Sequence, residues 1–194
     1  MSAAVAQNRS LRVKQESAMD KAESNFAFRL MALSYKFRDL RLPRKSILEE
    51  VGIKAGCYVL DYGCGPGSYV APLAELVGES GKVYALDIHP LAIRKVHSIA
   101  SKKRLVNVKT ILSDCKTGLP DNSLDVVLLY DIFHCLSDPA GVLKELHRVL
   151  KPDGILSFSD HHMKDKDIVS QITNSGLFRL LKKSRRTYSF LKVE

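Results

Sequence analysis

The sequence lacks the signals that mark a membrane protein, an exported protein or a disulfide scaffold. No apolar run approaches the roughly 18 residues that a transmembrane helix needs. The first twenty residues mix Arg9, Arg12 and Glu16 with no apolar stretch, unlike a signal peptide. The four cysteines form no CxxC pair, so neither a zinc site nor a disulfide framework is indicated. We therefore expect a cytoplasmic protein with reduced thiols and no bound metal.

Internal repeats and low-complexity tracts are also absent, and 194 residues fit one domain with a sizeable core. The net charge of +9 is concentrated at the two ends of the chain. Residues 1–45 contain ten Lys and Arg against four Asp and Glu, and residues 176–194 contain six against one. Such ends occur on proteins that contact nucleic acid, anionic membranes or acidic partners, and also as plain solubilising surface. Because no basic run alternates with aromatic residues, nucleic acid is not the favoured partner.

From residue 51 onward, short apolar runs alternate with segments of helical periodicity, which predicts a parallel sheet covered by helices. The run at 124–130 is apolar almost throughout, as expected of a strand buried on both faces. The predicted strands are 57–61, 82–87, 106–112, 124–130, 155–159, 178–182 and 187–192, and the predicted helices are 68–77, 90–103, 137–150 and 165–174. A turn is predicted at 151–154, and the last two strands are predicted to pair antiparallel at a sheet edge.

The chain before the sheet divides into two predicted parts. Residues 1–24 form a basic tail that we expect to be disordered, and 25–42 form a helical cap on a domain that spans 43–194. Apolar residues recur at helical spacing at Phe26, Leu30, Leu33 and Phe37, and again at Ile47 and Val51. The residues expected to line a site beneath the cap are Phe26, Phe28, Met31, Tyr35 and Phe37. Such a thin cap leaves the site to be completed by a large substrate, a dimer partner or a membrane.

Glycines at 63, 65 and 67 lie between the first predicted strand and the helix after it, which is the position of a nucleotide-binding loop. Glycine lets the backbone approach a ligand closely, while the helix start offers unpaired N–H groups. Two features argue against a nicotinamide dinucleotide. The spacing is GxGxG with Ser68 in place of a later glycine, and Asp61 at the strand end would repel a pyrophosphate. A carboxylate at Asp61 suits a ligand that carries an ammonium group.

Two more carboxylates follow at the ends of the next two predicted strands. Asp87 comes twenty residues after Gly67, a spacing that brings an acid to the ribose hydroxyls of a bound adenosine. Ile88 is expected to pack on the adenine face, and Asp114 to accept a hydrogen bond from the adenine amino group. Each acid alone is an ordinary loop residue. Three acids at successive strand ends indicate S-adenosylmethionine, which carries an ammonium group, a sulfonium, a ribose and an adenine.

Five segments resemble class I S-adenosylmethionine-dependent methyltransferases, in the order that this family shows. They are VLDYGCGPG (59–67), VYALDIHP (83–90), LSDC (112–115), LPDNSLDVVLLYDIFHCLSDP (119–139) and LKELHRVLKPDGILSFSD (143–160). The resemblance implies a doubly wound α/β sheet of seven strands, Rossmann-like and mostly parallel, with an antiparallel last strand. It also implies a cofactor-binding set of Asp61, Gly63, Cys64, Gly65, Gly67, Asp87, Ile88, Asp114, Cys115 and Tyr130.

Within the family, the sequence is most similar to the broad group of ubiquinone/menaquinone-biosynthesis and other small-molecule methyltransferases. The expected acceptor is a small molecule or a lipid-like molecule, and S-adenosylhomocysteine is the expected product of the cofactor. After the fourth strand, Tyr130-Asp131-Ile132 departs from the Asn/Asp-Pro-Pro-Tyr motif of enzymes that methylate adenine or amide nitrogens. An adenine or glutamine acceptor is therefore not expected.

Methyl transfer proceeds by in-line displacement, and a base is needed only where the nucleophile must lose a proton. The candidates are Asp131 and His134 after the fourth strand, and Asp160, His161 and His162 after the fifth, with His134, Asp131 and His161 preferred. A metal held by His134, Asp160 and His161 is an alternative without diagnostic spacing. Another is arsenic methylation through the Cys64 and Cys115 thiols.

Three rival functions remain open at this stage. The basic termini are compatible with an RNA or protein methyltransferase. The thin cap and the lack of an obvious base are compatible with a cofactor-binding partner subunit that does not turn over. A nicotinamide-dependent dehydrogenase is the rival that the glycine spacing and Asp61 disfavour most.

Overall fold

The computed structural model describes residues 22–41 and 44–194, so the tail predicted to be disordered (1–24) lies outside the described residues except for 22–24. Helices and strands alternate from Tyr58 onward, as predicted. The helices are α1 (Asn25–Arg41), α2 (Lys45–Glu49), α3 (Val70–Val77), α4 (Pro90–Lys103), α5 (Pro139–Val149) and α6 (Asp165–Thr173). The strands are β1 (Tyr58–Tyr62), β2 (Lys82–Asp87), β3 (Val108–Leu112), β4 (Leu124–Tyr130), β5 (Leu150–Ser159), β6 (Phe178–Lys183) and β7 (Tyr188–Lys192).

All seven strands form one sheet in the order β3-β2-β1-β4-β5-β7-β6. The pairs from β3 to β5 are parallel, whereas β7 runs antiparallel to both β5 and β6. The predicted fold class is therefore confirmed, including the antiparallel last strand. The strand order reverses between β1 and β4. In open α/β sheets, ligands bind in the crevice outside the carboxyl ends of the two strands at such a reversal. The site is expected at that edge.

The core lies on both faces of the sheet because successive residues of a strand point to opposite sides. Val127 and Leu129 of β4 pack with α5 and α6, while Val126 and Leu128 pack with α2 and α3 on the other face. Each fully buried aliphatic side chain of this kind stabilises the fold by about 1.5–3 kcal/mol. This two-sided burial keeps the strand ends in fixed register at the sheet edge.

The start of β5 was predicted wrongly. The strand begins at Leu150, five residues before the predicted start. Leu150 pairs with Leu124 and Ile155 pairs with Val126, so the four residues between Leu150 and Ile155 leave the ladder as a bulge. The predicted turn at 151–154 is thus a bulge inside the strand, because the pairing resumes on the same neighbour.

Two contacts bind the segment before β1 to distant parts of the domain. Arg44, which is buried, donates to Asp39 over 2.7 Å and to the hydroxyl of Tyr69 over 3.4 Å, and so joins α1 to the region before α3. Glu50, just after α2, accepts from the backbone N–H groups of Arg186 and Thr187 and from the Thr187 hydroxyl, over 3.0–3.1 Å. These contacts join α1 and the segment after α2 to the rest of the domain. None of the described helices is long and apolar enough to cross a membrane.

Candidate active site

The glycine loop after β1 is fixed by backbone geometry at two of its glycines. Gly63 has φ of +73°, and a Cβ added there would lie 2.9 Å from Cγ1 of Ile132. Gly67 has φ of +86°, and a Cβ there would lie 2.9 Å from Cδ1 of Ile99 on α4. Side chains are disfavoured at both places because φ is positive and the space is filled. Gly63 thus faces the segment after β4, whereas the lack of a side chain at Gly67 lets the loop pack closely on α4.

Asp61, at the end of β1, is the most unusual carboxylate in the site. Its side chain is buried, and its Oδ2 atom has no hydrogen-bond partner among the described residues. Burial and the nearby Asp87 carboxylate raise the pKa of Asp61 to about 7. A buried carboxylate without a donor is costly, so this side chain is suited to an incoming cation. The ammonium group of S-adenosylmethionine fits that requirement.

Asp87, at the end of β2, is held from both sides by the backbone. Its Oδ2 accepts from the N–H of Gly65 over 2.8 Å, and its Oδ1 accepts from the N–H of His89 over 2.7 Å. Burial raises the pKa of Asp87, although both of these N–H donors work in the opposite direction. Each carboxylate oxygen has a further lone pair, so Asp87 can still accept from a ligand's hydroxyl groups. The loop and the second carboxylate are therefore locked into one unit.

The remaining predicted cofactor residues lie around this unit. Ile88, Asp114 and Tyr130 line the same cavity, and the hydroxyl of Tyr62 donates to the backbone oxygen of Asp114 over 3.0 Å. Tyr130 shares a 2.7 Å hydrogen bond between its hydroxyl and the Ser157 hydroxyl. Cys115 packs against the main core cluster and is absent from the walls of the cavity.

Cys64 lines the cavity as a neutral thiol. Its side chain is buried, and burial raises the pKa of the thiol well above its usual value. The thiolate is the form that binds soft metals and metalloids. This environment disfavours the arsenic alternative at Cys64.

The carboxyl end of β4 and the end of β5 form a second cluster, built on a buried acid. Asp160 has a fully buried side chain and accepts from Nδ1 of His134 over 2.8 Å. It also accepts from the N–H groups of His134 and His162, over 3.2 and 3.0 Å. A carboxylate at Nδ1 favours the tautomer whose Nε2 is unprotonated. The pair therefore leaves Nε2 of His134 as the ring nitrogen with a free lone pair in this tautomer.

A second histidine–carboxylate pair lies beside the first. Nδ1 of His161 is 2.7 Å from Oδ1 of Asp131, a residue with φ of +55°. Oδ2 of the same carboxylate is 3.7 Å from a guanidinium nitrogen of Arg38 on α1. His161 is 63% exposed whereas His134 is 28% exposed, so His134 is the more enclosed base. The ring of His162 lies 4.2 Å from His134 and 3.9 Å from His161, between centroids.

Both clusters open into one cavity of about 400 Å³. Its walls include Asp61 and Asp87 at one end and His134 and His161 at the other. The cap covers it through α1, whose lining residues are Phe28, Met31, Tyr35 and Arg38. All three preferred catalytic candidates, and all predicted cofactor residues except Gly67 and Cys115, line this cavity.

The prediction that Phe26 and Phe37 line the cavity was wrong. Phe26 and Phe37 are 71% and 60% exposed, on the outer side of α1. At 3.6 residues per turn, Phe28, Met31 and Tyr35 occupy the opposite face from these two phenylalanines. Because both faces of α1 are apolar, the periodicity alone could not decide which one turns inward.

Metal binding receives no geometric support in the part of the chain that the structure describes. No three His, Cys, Asp or Glu side chains there are arranged so that they could hold an ion. In each pair, His134–Asp160 and His161–Asp131, Nδ1 of the histidine instead contacts the carboxylate of its own partner.

Several cavity residues were missed from the sequence, and His89, Tyr69 and Arg38 are three of them. His89 is buried, accepts from the N–H of Leu91 at Nδ1, and has no hydrogen-bond partner at Nε2 among the described residues. Its position directly before Pro90 at a helix start is the signal that could have identified it. Tyr69 and Arg38 also line the cavity. Arg38 follows Met31 and Tyr35 at helical spacing, which places it on the same face of α1.

Comparisons with known proteins agree with this geometry. A family model described as a methyltransferase domain matches residues 53–190. A demethylmenaquinone methyltransferase of Geobacillus stearothermophilus is 36% identical over 113 residues, covering 58% of this chain and 48% of the relative. A ubiquinone/menaquinone biosynthesis C-methyltransferase, UbiE, of Marinomonas sp. is 27% identical over 143 residues, covering 73% of this chain and 57% of the relative. The chain thus spans about half the length of these curated relatives.

Among solved structures, a SAM dependent methyltransferase from Aquifex aeolicus matches with a TM-score of 0.70 and 30% identity. The match covers 81% of this chain and 97% of the other. The family model spans most of the chain, and Oδ2 of Asp61, which has no partner among the described residues, fits the cofactor of that family. The chain therefore belongs to the methyltransferase-domain family, as a class I domain whose cofactor is S-adenosylmethionine.

Proposed function

We propose that this protein transfers a methyl group from S-adenosylmethionine to a carbon of a quinol-type aromatic acceptor that is small or lipid-like. The observation that carries the proposal is the shared cavity, which joins the unpartnered carboxylate of Asp61 to the His134–Asp160 pair. The curated relatives are named for methylation of demethylmenaquinone and for ubiquinone/menaquinone biosynthesis. Those names support the acceptor class.

The first half of the cavity is assigned to the cofactor. Asp61 would bind its ammonium group, Asp87 its ribose hydroxyls, and Ile88 with Asp114 its adenine. Bound there, S-adenosylmethionine supplies an electrophilic methyl group on sulfonium. The rest of this wall is formed by Gly63, Cys64, Gly65 and Tyr130. Gly67 allows the loop to pack closely on α4.

The second half is assigned to the acceptor. A ring carbon of a hydroquinone becomes a strong nucleophile when a neighbouring hydroxyl loses its proton, and a phenolic hydroxyl has a pKa of about 10 in water. As this carbon bonds to the methyl group, the bond from methyl to sulfur would break and S-adenosylhomocysteine would leave. The hydrogen on the methylated carbon would then be lost to solvent as a proton, which restores the aromatic ring. A positioned imidazole can remove that proton, and general-base catalysis of this kind is worth roughly 100- to 10,000-fold. Nε2 of His134 is the proposed base, with Asp160 holding the ring in the required tautomer. His161 and Asp131 form the second wall beside it.

α1 contributes the remaining wall. Phe28, Met31 and Tyr35 lie over the cavity and present apolar surface to it. Excluding water there strengthens the electrostatic interactions of Asp61 and protects the proton transfer from solvent.

The test uses the full chain with S-adenosylmethionine and a short-chain demethylated naphthoquinone, supplied oxidised or chemically reduced. Mass spectrometry should find one added methyl group on a ring carbon of the reduced compound only. An Asp61→Asn variant serves as the cofactor-binding control. Methylation of the oxidised compound at an equal rate would overturn the role of a base. No product from either form, with S-adenosylhomocysteine still bound, would overturn the acceptor class.

A further inference from the structure

α1 has a second apolar face that no other described element covers. Its outward side chains are each 52–75% exposed and form a row spaced by four, three, four and three residues: Phe26, Leu30, Leu33, Phe37 and Leu40. We call this row the outer stripe. At 1.5 Å per residue it runs for about 21 Å along the helix. Large exposed apolar patches on a folded protein mark a binding surface.

Basic side chains border the outer stripe. Arg29, Lys36 and Arg41 lie on the exposed part of α1, whose only acidic residue, Asp39, is paired with Arg38 and Arg44. A groove of about 770 Å³ between α1 and α4 continues from Leu33. It is lined by four cations, Arg29, Lys36, Arg94 and Lys95, and by no carboxylate. Within the described chain, none of these four forms an ion pair, so the groove is suited to anions.

Two occupants could cover an apolar stripe with this heptad-like spacing: a second copy of the helix, or a lipid surface. In paired helices, the residues that flank the seam face each other and are usually of opposite charge. Here the flanking charges at Arg29, Lys36 and Arg41 are all positive, so a second copy would bring like charges together. An anionic bilayer offers both acyl chains for the stripe and phosphates for the groove.

We infer that the outer stripe and the α1–α4 groove form a docking surface for an anionic lipid bilayer. The apolar side chains insert at the level of the acyl-chain boundary, while the groove cations bind lipid phosphates. The inner face of the same helix lines the cavity through Phe28, Met31 and Tyr35. Docking therefore brings the cap of the cavity against the lipid, whatever acceptor the protein uses.

Vesicle co-sedimentation of the full chain without cofactor or acceptor tests the inference separately from methyl transfer. Vesicles of phosphatidylcholine alone are compared with vesicles that contain phosphatidylglycerol. Binding to the anionic vesicles is expected, and it should weaken strongly between about 50 and about 500 mM salt, because salt screens the groove charges. Leu33→Ser with Phe37→Ser should lower the partition coefficient at least tenfold. The matched control, Val106→Ser with Leu112→Ser, alters exposed apolar residues outside α1 and should bind as the native chain.

The charges are tested in the same way. Arg29→Glu with Lys36→Glu should lower anionic binding at least about 30-fold, since two cations that attract the membrane are lost and two negative charges are added. Lys102→Glu with Lys109→Glu is the control at exposed positions elsewhere. Melting temperatures are measured for all variants to check that each one is folded. The inference would be overturned if the serine variant bound unchanged or if neutral vesicles bound the protein equally well. It would also be overturned by a stripe-dependent dimer without vesicle binding, or by binding to random RNA but not to vesicles.

Discussion

The two halves of the cavity hold their acidic side chains in different ways. In the half formed by β1 and β2, Asp87 accepts from two backbone N–H groups, and Oδ2 of Asp61 is buried with no partner among the described residues. In the half formed by β4 and β5, Asp160 and Asp131 also accept from backbone N–H groups, but each has a histidine side chain as a further partner. The carboxylates of the first half are thus held by the backbone alone, whereas those of the second half share their contacts with side chains that can rotate. This difference is what we expect if the first half holds one fixed ligand and the second half receives the acceptor.

The largest effect expected is at His134, where the second half is assigned its chemistry. His134→Ala should lower the single-turnover rate of methyl transfer roughly 100- to 10,000-fold, because the general base is lost. Affinity for S-adenosylhomocysteine, measured by calorimetry, should change less than about twofold. His97→Ala is the matched control, since His97 bonds Thr110 outside the cavity. Unchanged transfer after alanine replacement of both His134 and His161 would rule out a histidine base.

Asp61→Asn tests the first half. Affinity for S-adenosylhomocysteine should fall about 100-fold, because removing one partner of a buried charge pair costs about 2–5 kcal/mol. The unliganded variant should melt at the same or a higher temperature at pH 8, since a buried charge without a partner has been removed. Asp114→Asn is the control in the same half. It should lower the affinity for S-adenosylhomocysteine less than about tenfold, because it weakens a single hydrogen bond at a more exposed position. Equal losses in the two variants would contradict the ammonium contact.

The same carboxylate should give the first half a distinctive pH dependence. The pKa of Asp61 is about 7 in the folded protein, above its value of 3.8 in an unfolded chain. Its contribution to the stability of the unliganded protein is therefore present below about pH 4 and is lost as pH rises through about 7. Affinity for S-adenosylhomocysteine should rise several-fold from about pH 6 to 8, as Asp61 becomes charged. Calorimetry across this range should find that the Asp61→Asn variant lacks the rise.

The smallest effect is expected at the contact between the second half and the cap. Arg38→Ala removes a 3.7 Å ion pair with Asp131 that is partly open to water. Such pairs contribute about 0.2–1 kcal/mol, so the KM for the acceptor should rise no more than about fivefold. Cofactor affinity should not change. Arg179→Ala, at an exposed position on β6, is the control, and an equal change in KM there would show that the ion pair is irrelevant.

The fold and the first half of the cavity were predictable because their signals are local. The apolar run of β4 and the glycines after β1 each require a particular backbone, and three acids at strand ends converge wherever parallel strands align. The second half was predictable only as a group of candidates. Nothing in the sequence pairs His134 with Asp160 rather than with Asp131, because that choice depends on side-chain directions after two different strands.

α1 shows a different limit of sequence reasoning. Its inner and outer faces are both apolar, so the helix was predictable while its orientation was not. Phe26 and Phe37 were assigned to the cavity, yet they lie in the outer stripe. The inward face is chosen by contacts that are distant in sequence, such as the ring of Phe28 on His89 at 4.5 Å and the Arg44 bond to Tyr69.

The carboxylate of Glu50 has a consequence for the order in which the domain folds. Its three donors belong to Arg186 and Thr187, which lie 136 and 137 residues further along the chain. A contact of such long range closes a large loop, and the entropy cost of that closure comes before the contact can stabilise anything. We therefore expect the parallel strands to pair before the segment that follows α2 is anchored.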